Sequence, residues 1–293
     1  MNQEAAVLDA RHGRDRDLIV VKLGGGAGID HAPLAADIAT RVRAGERLVV
    51  VHGASDGTTE LQEALGRPPR FVTSVSGHVS RFTDRAALEA LTMAAARLNL
   101  RIVAALQGAG VDAVGLTGAS GRLLEARRKS AIKIIEGDKK VVLRGDHTGV
   151  VERVNTRLLH MLLDAGQVPV ITVPAVAEGG TPVNVDADRA AAAVAGALGA
   201  ARLVVLSNVA GLLANIDEPA SLVPTIAYTD FDAAEALAHG RFRKKMMAAR
   251  AALDAGVARV VFAHANEPAP LTRALQGAGT HLFAPTPALE VVA

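Results

Sequence analysis

Short runs of aliphatic residues alternate along the chain with longer segments in which apolar positions recur at helical spacing. Residues 18–21 and 48–51 are two such runs, and a Gly-rich turn and a helix over about 32–44 lie between them. Further runs occupy residues 113–116, 168–173, 203–206 and 259–262. Strands buried on both faces, as in parallel sheets, have continuous apolar runs of this kind. The pattern predicts an α/β protein with a mostly parallel sheet covered by helices on both faces, and an Ala-rich run over 190–201 predicts a buried helix.

One segment departs from this alternation and predicts a β-hairpin over residues 130–144. Apolar residues in 131–135 and 140–143 flank a Glu-Gly-Asp turn at 136–138. The surroundings are basic, because residues 127–144 contain seven Lys and Arg against two acidic residues, a net charge of +5. One interpretation is an edge hairpin that its charge keeps from aggregating. The other is a docking surface for an acidic partner.

Composition limits the classes of function. The 293 residues suffice for two domains of about 150 residues, and without a visible linker we expect two lobes on one continuous sheet. The absence of Cys excludes disulfides, thiolate metal sites and a cysteine nucleophile. Aromatic residues make up only 2%, which argues against a stacking surface for single-stranded nucleic acid. The net charge of +2 gives no strong field toward nucleic acid or membranes.

The N-terminal segment has no apolar stretch that would serve as a targeting signal, so residues 1–17 are predicted to be a mobile tail. No stretch approaches the run of about 18 apolar residues that indicates a membrane-spanning helix. We therefore expect a soluble cytoplasmic protein.

Two glycine-bearing turns follow predicted strands. Lys22-Leu23-Gly24-Gly25-Gly26 ends the first strand, and His52-Gly53-Ala54 ends the second. Glycine lets backbone N–H groups approach phosphate, and a following helix N-terminus favours negative charge. The first turn fits neither a Walker A loop nor the dinucleotide-binding fingerprint. Each turn taken alone could be an ordinary connection, with His52 simply packed, but together they predict two facing walls of an anion pocket.

Three polar segments add candidate chemistry. Arg81 lies among small polar residues and suits a carboxylate ligand, although a surface arginine is the alternative. In residues 183–188, extended geometry would point Asn184, Asp186 and Asp188 the same way, unless Asp188 caps the following helix. Residues 240–246 crowd four basic side chains at the start of a helix, which indicates a bound anion. Separated lysines, glycine turns and an aspartate without a hydrolytic nucleophile fit phosphoryl transfer.

In their order along the chain, these motifs resemble the amino acid kinase family over about residues 18–283. The residues that carry the resemblance are Lys22-Leu23-Gly24-Gly25, His52-Gly53, Ser80-Arg81-Phe82-Thr83-Asp84, Asn184-Val185-Asp186-Ala187-Asp188, Leu206-Ser207-Asn208-Val209-Ala210-Gly211-Leu212 and Lys245. The resemblance implies a three-layer αβα sandwich of the carbamate kinase type. It also implies an acceptor-binding and dimer-forming N-terminal lobe over 18–175, an ATP-binding lobe over 176–283, a C-terminal tail over 284–293, and a homodimer.

The resemblance also implies roles for individual residues. Lys22 and Lys245 would stabilise the transferring phosphoryl group, with Asp188 orienting both lysines. Arg81 and Asn184 would hold the acceptor. The phosphates and nucleotide of ATP would contact Gly24, Gly25, Gly53, Ala54, Ser207, Asn208, Gly211 and Gly240. Mg²⁺ would be coordinated mainly by phosphates and water, without a protein ligand set.

Within the family, the chain is most similar to the carboxylate kinases. These are N-acetylglutamate kinase and its relative that phosphorylates α-aminoadipate attached to the acidic amino-group carrier protein LysW. Residues 77–84, residues 144–149 and the basic hairpin are closer to the carrier-dependent branch, which implies an acyl phosphate product in lysine biosynthesis. The alternatives are N-acetylglutamate kinase, a kinase for both carrier-bound aminoadipate and carrier-bound glutamate, and a non-catalytic sensor, which the retained Lys22, Asp188 and Lys245 disfavour.

Two positions depart from the family pattern. Ala54 stands where a second glycine usually follows His-Gly, and its Cβ would strain a left-handed backbone. Ser120 stands where an aspartate is frequent. Both changes concern the affinity for phosphate, and neither removes a charge from the predicted reaction site.

Overall fold

The computed structural model describes residues 17–285 except 27, 76, 78 and 138. Apart from residues 17, 284 and 285, the two predicted tails lie outside the described residues. In chain order the elements are β1 (Ile19–Leu23), α1 (His31–Arg43), β2 (Leu48–His52), α2 (Ser55–Ala64), β3 (Phe71–Ser74), β4 (Val79–Arg81), α3 (Arg85–Gly108), β5 (Ala113–Thr117), β6 (Leu124–Arg128), β7 (Ile132–Glu136), β8 (Lys139–Leu143), β9 (Gly149–Val154), α4 (Thr156–Asp164), β10 (Val168–Thr172), β11 (Ala175–Val176), β12 (Pro182–Val183), α5 (Ala187–Ala197), β13 (Arg202–Ser207), β14 (Thr225–Ile226), α6 (Phe231–Leu237), α7 (Arg241–Asp254), β15 (Arg259–His264), α8 (Pro270–Leu275) and β16 (Thr280–Phe283).

An eight-stranded sheet in the order β14-β16-β15-β13-β1-β2-β10-β5 forms the centre of the fold. All of its pairs are parallel except β15 with β16. The six aliphatic runs of the sequence form β1, β2, β5, β10, β13 and β15, so the prediction of a mostly parallel sheet is confirmed. Strands from both predicted lobes contribute to this one sheet.

Side chains alternate between the two faces of the sheet and form a core on each. Val20 of β1 belongs to the core that contains residues of α4, α5 and α7, whereas Val21 belongs to the core that contains residues of α1 and α8. Both valines are fully buried, which explains why the strand has a continuous apolar run rather than an alternating one. The result is the predicted three-layer αβα sandwich.

The Ala-rich helix α5 differs in its bounds from the prediction. It begins at Ala187, three residues before the predicted 190–201, and ends at Ala197. The earlier start follows from the Asp186 side chain, which accepts hydrogen bonds from the Asp188 and Arg189 N–H groups and caps the helix. None of the helices in the described ranges is long and apolar enough to cross a membrane.

Two smaller four-stranded sheets accompany the central sheet, in the orders β12-β11-β6-β9 and β4-β3-β7-β8. The predicted hairpin is present as β7 and β8, with β8 at the sheet edge, and Asp138 of its turn lies outside the described residues. Val72 and Ile134 are buried on the inner face of this sheet. The opposite face, here called the outer hairpin face, exposes Phe71, Val79, Ile135 and Val142 together with Lys133 and Lys140.

Candidate active site

The candidate site lies at the carboxyl end of β1, the central strand between β2 and β13. Lys22 is in register with Val51 of β2 and Val205 of β13, so the loops that follow all three strands emerge side by side. Parallel α/β sheets bind ligands where neighbouring connections diverge in this way. The fold therefore places both glycine turns and Ser207 together at the carboxyl ends of three neighbouring strands.

The two glycine turns touch each other directly. A Cβ on Gly25 would lie 2.6 Å from the carbonyl carbon of Gly53 and 2.8 Å from the Ala54 nitrogen, so only glycine permits this approach. The Asp56 N–H donates to the Gly25 carbonyl at 3.2 Å, which joins the turns. The turns form adjoining walls, and the N-terminus of α2 follows the second one.

Lys22, Asp188 and Lys245 form a cluster beside these turns, here called the lysine–aspartate cluster. The Lys22 Nζ lies 2.6 Å from Asp188 Oδ1, and the Lys245 Nζ lies 3.5 Å from both carboxylate oxygens. No side chain of the three is more than 13% exposed. Residues from β1, α5 and α7, 223 positions apart at the extreme, are thus assembled around one carboxylate.

The electrostatics of the cluster favour an anion. Burial acts to raise the pKa of Asp188, but Lys22 and Lys245 outweigh it and hold this pKa at about 2. Burial lowers the pKa of Lys245, although Asp188 acts in the opposite direction. Two lysines and one carboxylate give the cluster a formal net charge of +1. A buried net charge is costly without a partner, so the arrangement suits a ligand rich in negative oxygens.

The expectation that Asn184, Asp186 and Asp188 point the same way in one extended segment is wrong, and so is the alternative that Asp188 caps the helix. Asp186, not Asp188, caps α5, so Asp188 lies in the first helical turn and its carboxylate faces the lysines. The three side chains do not share one extended segment, because the helix begins at Ala187. Asn184 pairs instead with Thr148 in an isolated bridge, and its side-chain amide donates to Thr83 Oγ1 at 3.1 Å.

Only one of the basic residues at the start of α7 enters the cluster. Lys245 is turned inward, whereas Arg241 is exposed and lies 3.7 Å from Asp56 at the start of α2. Arg243 donates to the Ala238 carbonyl and so closes the end of the preceding segment. The predicted crowding of charge is therefore divided between the lysine–aspartate cluster, a contact with the start of α2 and a contact with the segment before α7.

Arg81 is held next to the second turn with its charge available. Its guanidinium donates to Gln62 Oε1 at 2.5 Å, the Ser55 carbonyl at 3.0 Å and Thr59 Oγ1 at 2.8 Å, and it lies over the Phe71 ring. These acceptors are neutral. Burial lowers the pKa of Arg81, while Asp56 raises it and Arg241 lowers it. Neutral acceptors orient the guanidinium fork and Asp56 compensates part of its charge, an arrangement that can still bind an incoming carboxylate.

Asp146 holds the segments next to Arg81 and Asn184, although the sequence motifs did not single it out as a site residue. Its buried carboxylate accepts from the Thr83 N–H at 2.9 Å and from both the N–H and hydroxyl of Thr148. Arg128 in turn donates twice to the Asp146 carbonyl. Asp146 therefore fixes the segments that carry Arg81 and Asn184. An aspartate between Gly145 and Gly149 was a usable signal, but nothing local indicated its partners.

The residues predicted for the nucleotide lie at different distances from the turns. Ser207 packs against Gly24, and the exposed Asn208 lies beside Gly26. Gly211 packs against Thr280 of β16, where a Cβ would collide with the threonine hydroxyl, so packing accounts for this glycine. Gly240 precedes α7 as its N-cap residue.

The two departures from the family pattern are accommodated. Ala54 has φ −143° and ψ 35°, outside the left-handed region, so its Cβ causes no strain there. Ser120 accepts a hydrogen bond from the Thr117 N–H at 3.1 Å and shapes a local turn.

A mostly parallel sheet with a buried cationic cluster beside two glycine turns is typical of a protein that binds phosphate-bearing ligands. The model of the amino acid kinase family matches residues 17–264. The chain is 48% identical to a LysW-aminoadipate kinase of Deinococcus radiodurans over 265 residues, which are 90% of this chain and 91% of the relative. It is also 48% identical to a LysW-aminoadipate kinase of Thermus thermophilus over 266 residues, which are 90% of this chain and 99% of the relative.

Among solved structures, the chain resembles N-acetylglutamate synthase from Neisseria gonorrhoeae, complexed with coenzyme A and N-acetyl-glutamate, with a TM-score of 0.77 and 27% identity. This likeness covers 98% of the chain, which spans 64% of that longer protein. The chain belongs to the amino acid kinase family. The family resemblance and the fold expected from the motifs are thereby confirmed.

Proposed function

We propose that this chain transfers the γ-phosphoryl group of ATP to the side-chain carboxylate of α-aminoadipate bound to an acidic carrier protein of the LysW type. The observation that carries the proposal is the lysine–aspartate cluster beside two touching glycine turns. The similarity to two LysW-aminoadipate kinases along nearly their whole length supports the choice of acceptor. The product is an acyl phosphate for lysine biosynthesis.

The chemistry needs positioning and charge rather than a general base. A side-chain carboxyl group, with an ordinary pKa of about 4, is already ionised at neutral pH. One of its oxygens forms a bond to the γ-phosphorus while the bond to the β–γ bridging oxygen breaks, and ADP leaves with that electron pair. No proton has to move. Lys22 and Lys245 balance the charge on the transferring group, and Asp188 holds both ammonium groups in place.

The glycine turns are proposed to bind the phosphates through backbone N–H groups. Gly24, Gly25, Gly53 and Ala54 supply these groups, and Ser207, Asn208, Gly211 and Gly240 belong to the proposed nucleotide side. Mg²⁺ would arrive on the phosphates and neutralise part of their charge. The residues present fit this arrangement, because the one carboxylate in the cluster is already engaged by two lysines.

Arg81 and Asn184 are proposed to bind the acceptor. Arg81 would hold a carboxylate, and the Asn184 amide would orient the acceptor's amide end. We assign residues 18–175 to an acceptor lobe and residues 176–283 to an ATP lobe. Together they would form one site at the shared edge of the sheet.

The outer hairpin face is proposed to bind the carrier. Register places Phe71 opposite Arg81, and Thr73 opposite both Val79 and Ile135, so these side chains share one face. The exposed apolar residues of that face continue to the proposed acceptor site at Arg81, and Lys133 and Lys140 add positive charge. A mixed apolar and basic surface at the mouth of the site suits an acidic protein that delivers its attached amino acid there.

We further propose a homodimer formed through the N-terminal lobe. Met93 and Leu100 on helix α3 are exposed at 51% and 69% and lie seven residues apart, on one side of the helix. An exposed apolar stripe on a long helix suits packing against a second copy. Sedimentation or light scattering of wild type and of Leu100→Glu would test this assignment.

The proposed reaction can be tested by trapping ATP-dependent acyl phosphate as a hydroxamate. Carrier-bound aminoadipate, carrier-bound glutamate and N-acetylglutamate are compared at equal concentration. We expect a higher kcat/KM for carrier-bound aminoadipate than for the other two acceptors. Equal use of both carrier-bound acceptors would indicate the dual kinase, whereas a preference for N-acetylglutamate would indicate arginine biosynthesis. No product with any acceptor would contradict phosphoryl transfer to a carboxylate.

A further inference from the structure

His52 at the end of β2 is completely buried, and its two ring nitrogens have different partners. The Nδ1 lies 3.0 Å from the carbonyl oxygen of Gly53. The Nε2 lies 3.0 Å from the side-chain nitrogen of Asn99 on α3, and that nitrogen also donates to the Val170 carbonyl at 2.9 Å. Asn99 and His52 thus link helix α3, which covers the sheet, to the second glycine turn.

These contacts determine where the imidazole proton lies. The Asn99 amide nitrogen carries two hydrogens and faces two acceptors, the Val170 carbonyl and the His52 Nε2. The Nε2 must therefore be unprotonated, which leaves the proton on Nδ1, where it is donated to the Gly53 carbonyl. Burial lowers the pKa of His52 to about 4, so the ring is neutral in the conditions under which a carboxylate acceptor is ionised.

Residues of β5 and β10 lie close to this contact. A Cβ on Gly115 of β5 would collide with the Asn99 side-chain oxygen, so β5 leaves room for the amide. Thr172 of β10 adds a hydroxyl that donates to the His52 carbonyl at 3.3 Å. Gly115 thus leaves room for the Asn99 amide, and the Thr172 hydroxyl also lies 3.4 Å from His52 Nδ1.

Holding the Gly53 carbonyl has a consequence for the next N–H group. The peptide unit is planar and trans, so a carbonyl that points toward the buried His52 directs the Ala54 N–H away from it. Ala54 is the N-cap residue of α2, where N–H groups have no acceptor within the helix. The Gly53–Ala54 peptide is also the group that Gly25 approaches most closely.

We propose that Asn99 and His52 are positioning residues for the phosphate-binding turn. Asn99 fixes the Nδ1–H form of His52, and His52 orients the Gly53–Ala54 peptide so that its N–H faces the phosphates of ATP. This inference rests on the proposed use of ATP. It predicts that Asn99 and His52 affect the binding of ATP and do not affect the binding of the acceptor.

Two substitutions of His52 distinguish the role of its Nδ1 from the role of its Nε2. His52→Asn places an amide near the position of Nδ1 and can still donate to Gly53, whereas His52→Gln reaches toward Nε2 and Asn99. We expect His52→Gln to raise KM for ATP about tenfold and His52→Asn about threefold or less. The KM for the acceptor should stay unchanged in both. Asn99→Asp, which offers an acceptor to Nε2 and so favours the other tautomer, should resemble His52→Gln.

A buried polar residue elsewhere provides the matched control. Asp37 on α1 accepts from the N–H and hydroxyl of Thr272 on α8, so these hydrogen bonds join two helices and not the glycine turns. Asp37→Asn should lower Tm and leave KM for ATP unchanged, which separates a loss of stability from a loss of positioning.

The tautomer can be measured without any variant, from the two-bond nitrogen–proton couplings of the His52 ring in the ¹⁵N-labelled wild-type protein. The expected result is a protonated Nδ1. A protonated Nε2, or equal KM values for ATP in His52→Asn and His52→Gln, would overturn the inference even if wild type phosphorylates its acceptor. Absence of turnover in wild type would instead contradict the proposed function.

Discussion

Around Lys22, Asp188 and Lys245 the charged groups are nearly all buried and pair with each other. On the outer hairpin face, charged and apolar side chains are both exposed. The ion pair Arg127–Glu152, which joins β6 and β9 of the other small sheet, is exposed as well. Charges interact strongly where water is excluded and weakly where it screens them. The inner region can therefore stabilise a reacting group through a few fixed contacts, whereas the outer region can provide recognition only through many weak ones.

The largest expected effect is the loss of a lysine from the inner region. Lys245→Met keeps the length of the side chain and removes the charge, so kcat should fall by about 10²–10⁴-fold. Lys244→Met is the matched control, because Lys244 is adjacent on α7 and is not part of the cluster. Initial-rate measurements with the hydroxamate assay give both values. A near-normal kcat in Lys245→Met, or equal losses in the two variants, would remove the cluster from the reaction.

The next effect concerns stability and pH. The folded state holds the pKa of Asp188 at about 2, below its ordinary 3.8, so its contribution to stability is complete above about pH 4 and disappears as the pH falls through 2. The difference corresponds to about 2 kcal/mol. Between pH 6 and pH 3, the free energy of unfolding measured with denaturant should therefore fall less for Asp188→Asn than for wild type.

Asp186→Asn is the control for this measurement, because Asn caps a helix about as well as Asp. It should keep the wild-type fall in the free energy of unfolding. An Asp188→Asn profile parallel to wild type would show that the two lysines do not stabilise the ionised carboxylate.

A smaller and selective effect is expected from the outer region. Lys133→Glu combined with Lys140→Glu should raise KM for a carrier-bound acceptor several-fold and leave KM for a free acceptor unchanged, because exposed charges contribute about 0.2–1 kcal/mol each. Lys139→Glu reverses one charge on the opposite face of the hairpin, and it should have less effect than either single variant, Lys133→Glu or Lys140→Glu. Arg128 is unsuitable for this test, since it donates to the Asp146 carbonyl and supports the acceptor side. Equal losses with carrier-bound and free acceptors would exclude docking on this face.

The smallest effect is expected at Ala54. Its φ of −143° is open to any residue, so restoring the usual glycine relieves no strain. Ala54→Gly should change KM for ATP by less than about twofold, within the few tenths of a kcal/mol typical of unstrained sites. A large gain in ATP affinity would mean that the Cβ obstructs the phosphates.

The features that could be predicted from the sequence are those that local patterns determine. The strands, the glycine turns and Lys22 follow from local patterns, since aliphatic runs and the residues after them are adjacent in the chain. The capping residue of α5 could not be predicted in this way, because Asp186 and Asp188 are equivalent candidates until the first helical residue is known. The pairing of Asn99 with His52 across 47 positions, and of Asp146 with Thr83 across 63, depends on tertiary packing that no local pattern contains.

The most direct test of the central claim is calorimetric binding of ADP with Mg²⁺ and aluminium fluoride, which imitates the transferring phosphoryl group, in the presence of the acceptor. If Lys22, Asp188 and Lys245 stabilise that group, Lys245→Met should bind the mimic at least about 100-fold more weakly than wild type while binding ADP alone with little change. Equal weakening of both ligands would mean that Lys245 serves nucleotide binding only, and unchanged affinity for both would contradict a role for the cluster in phosphoryl transfer.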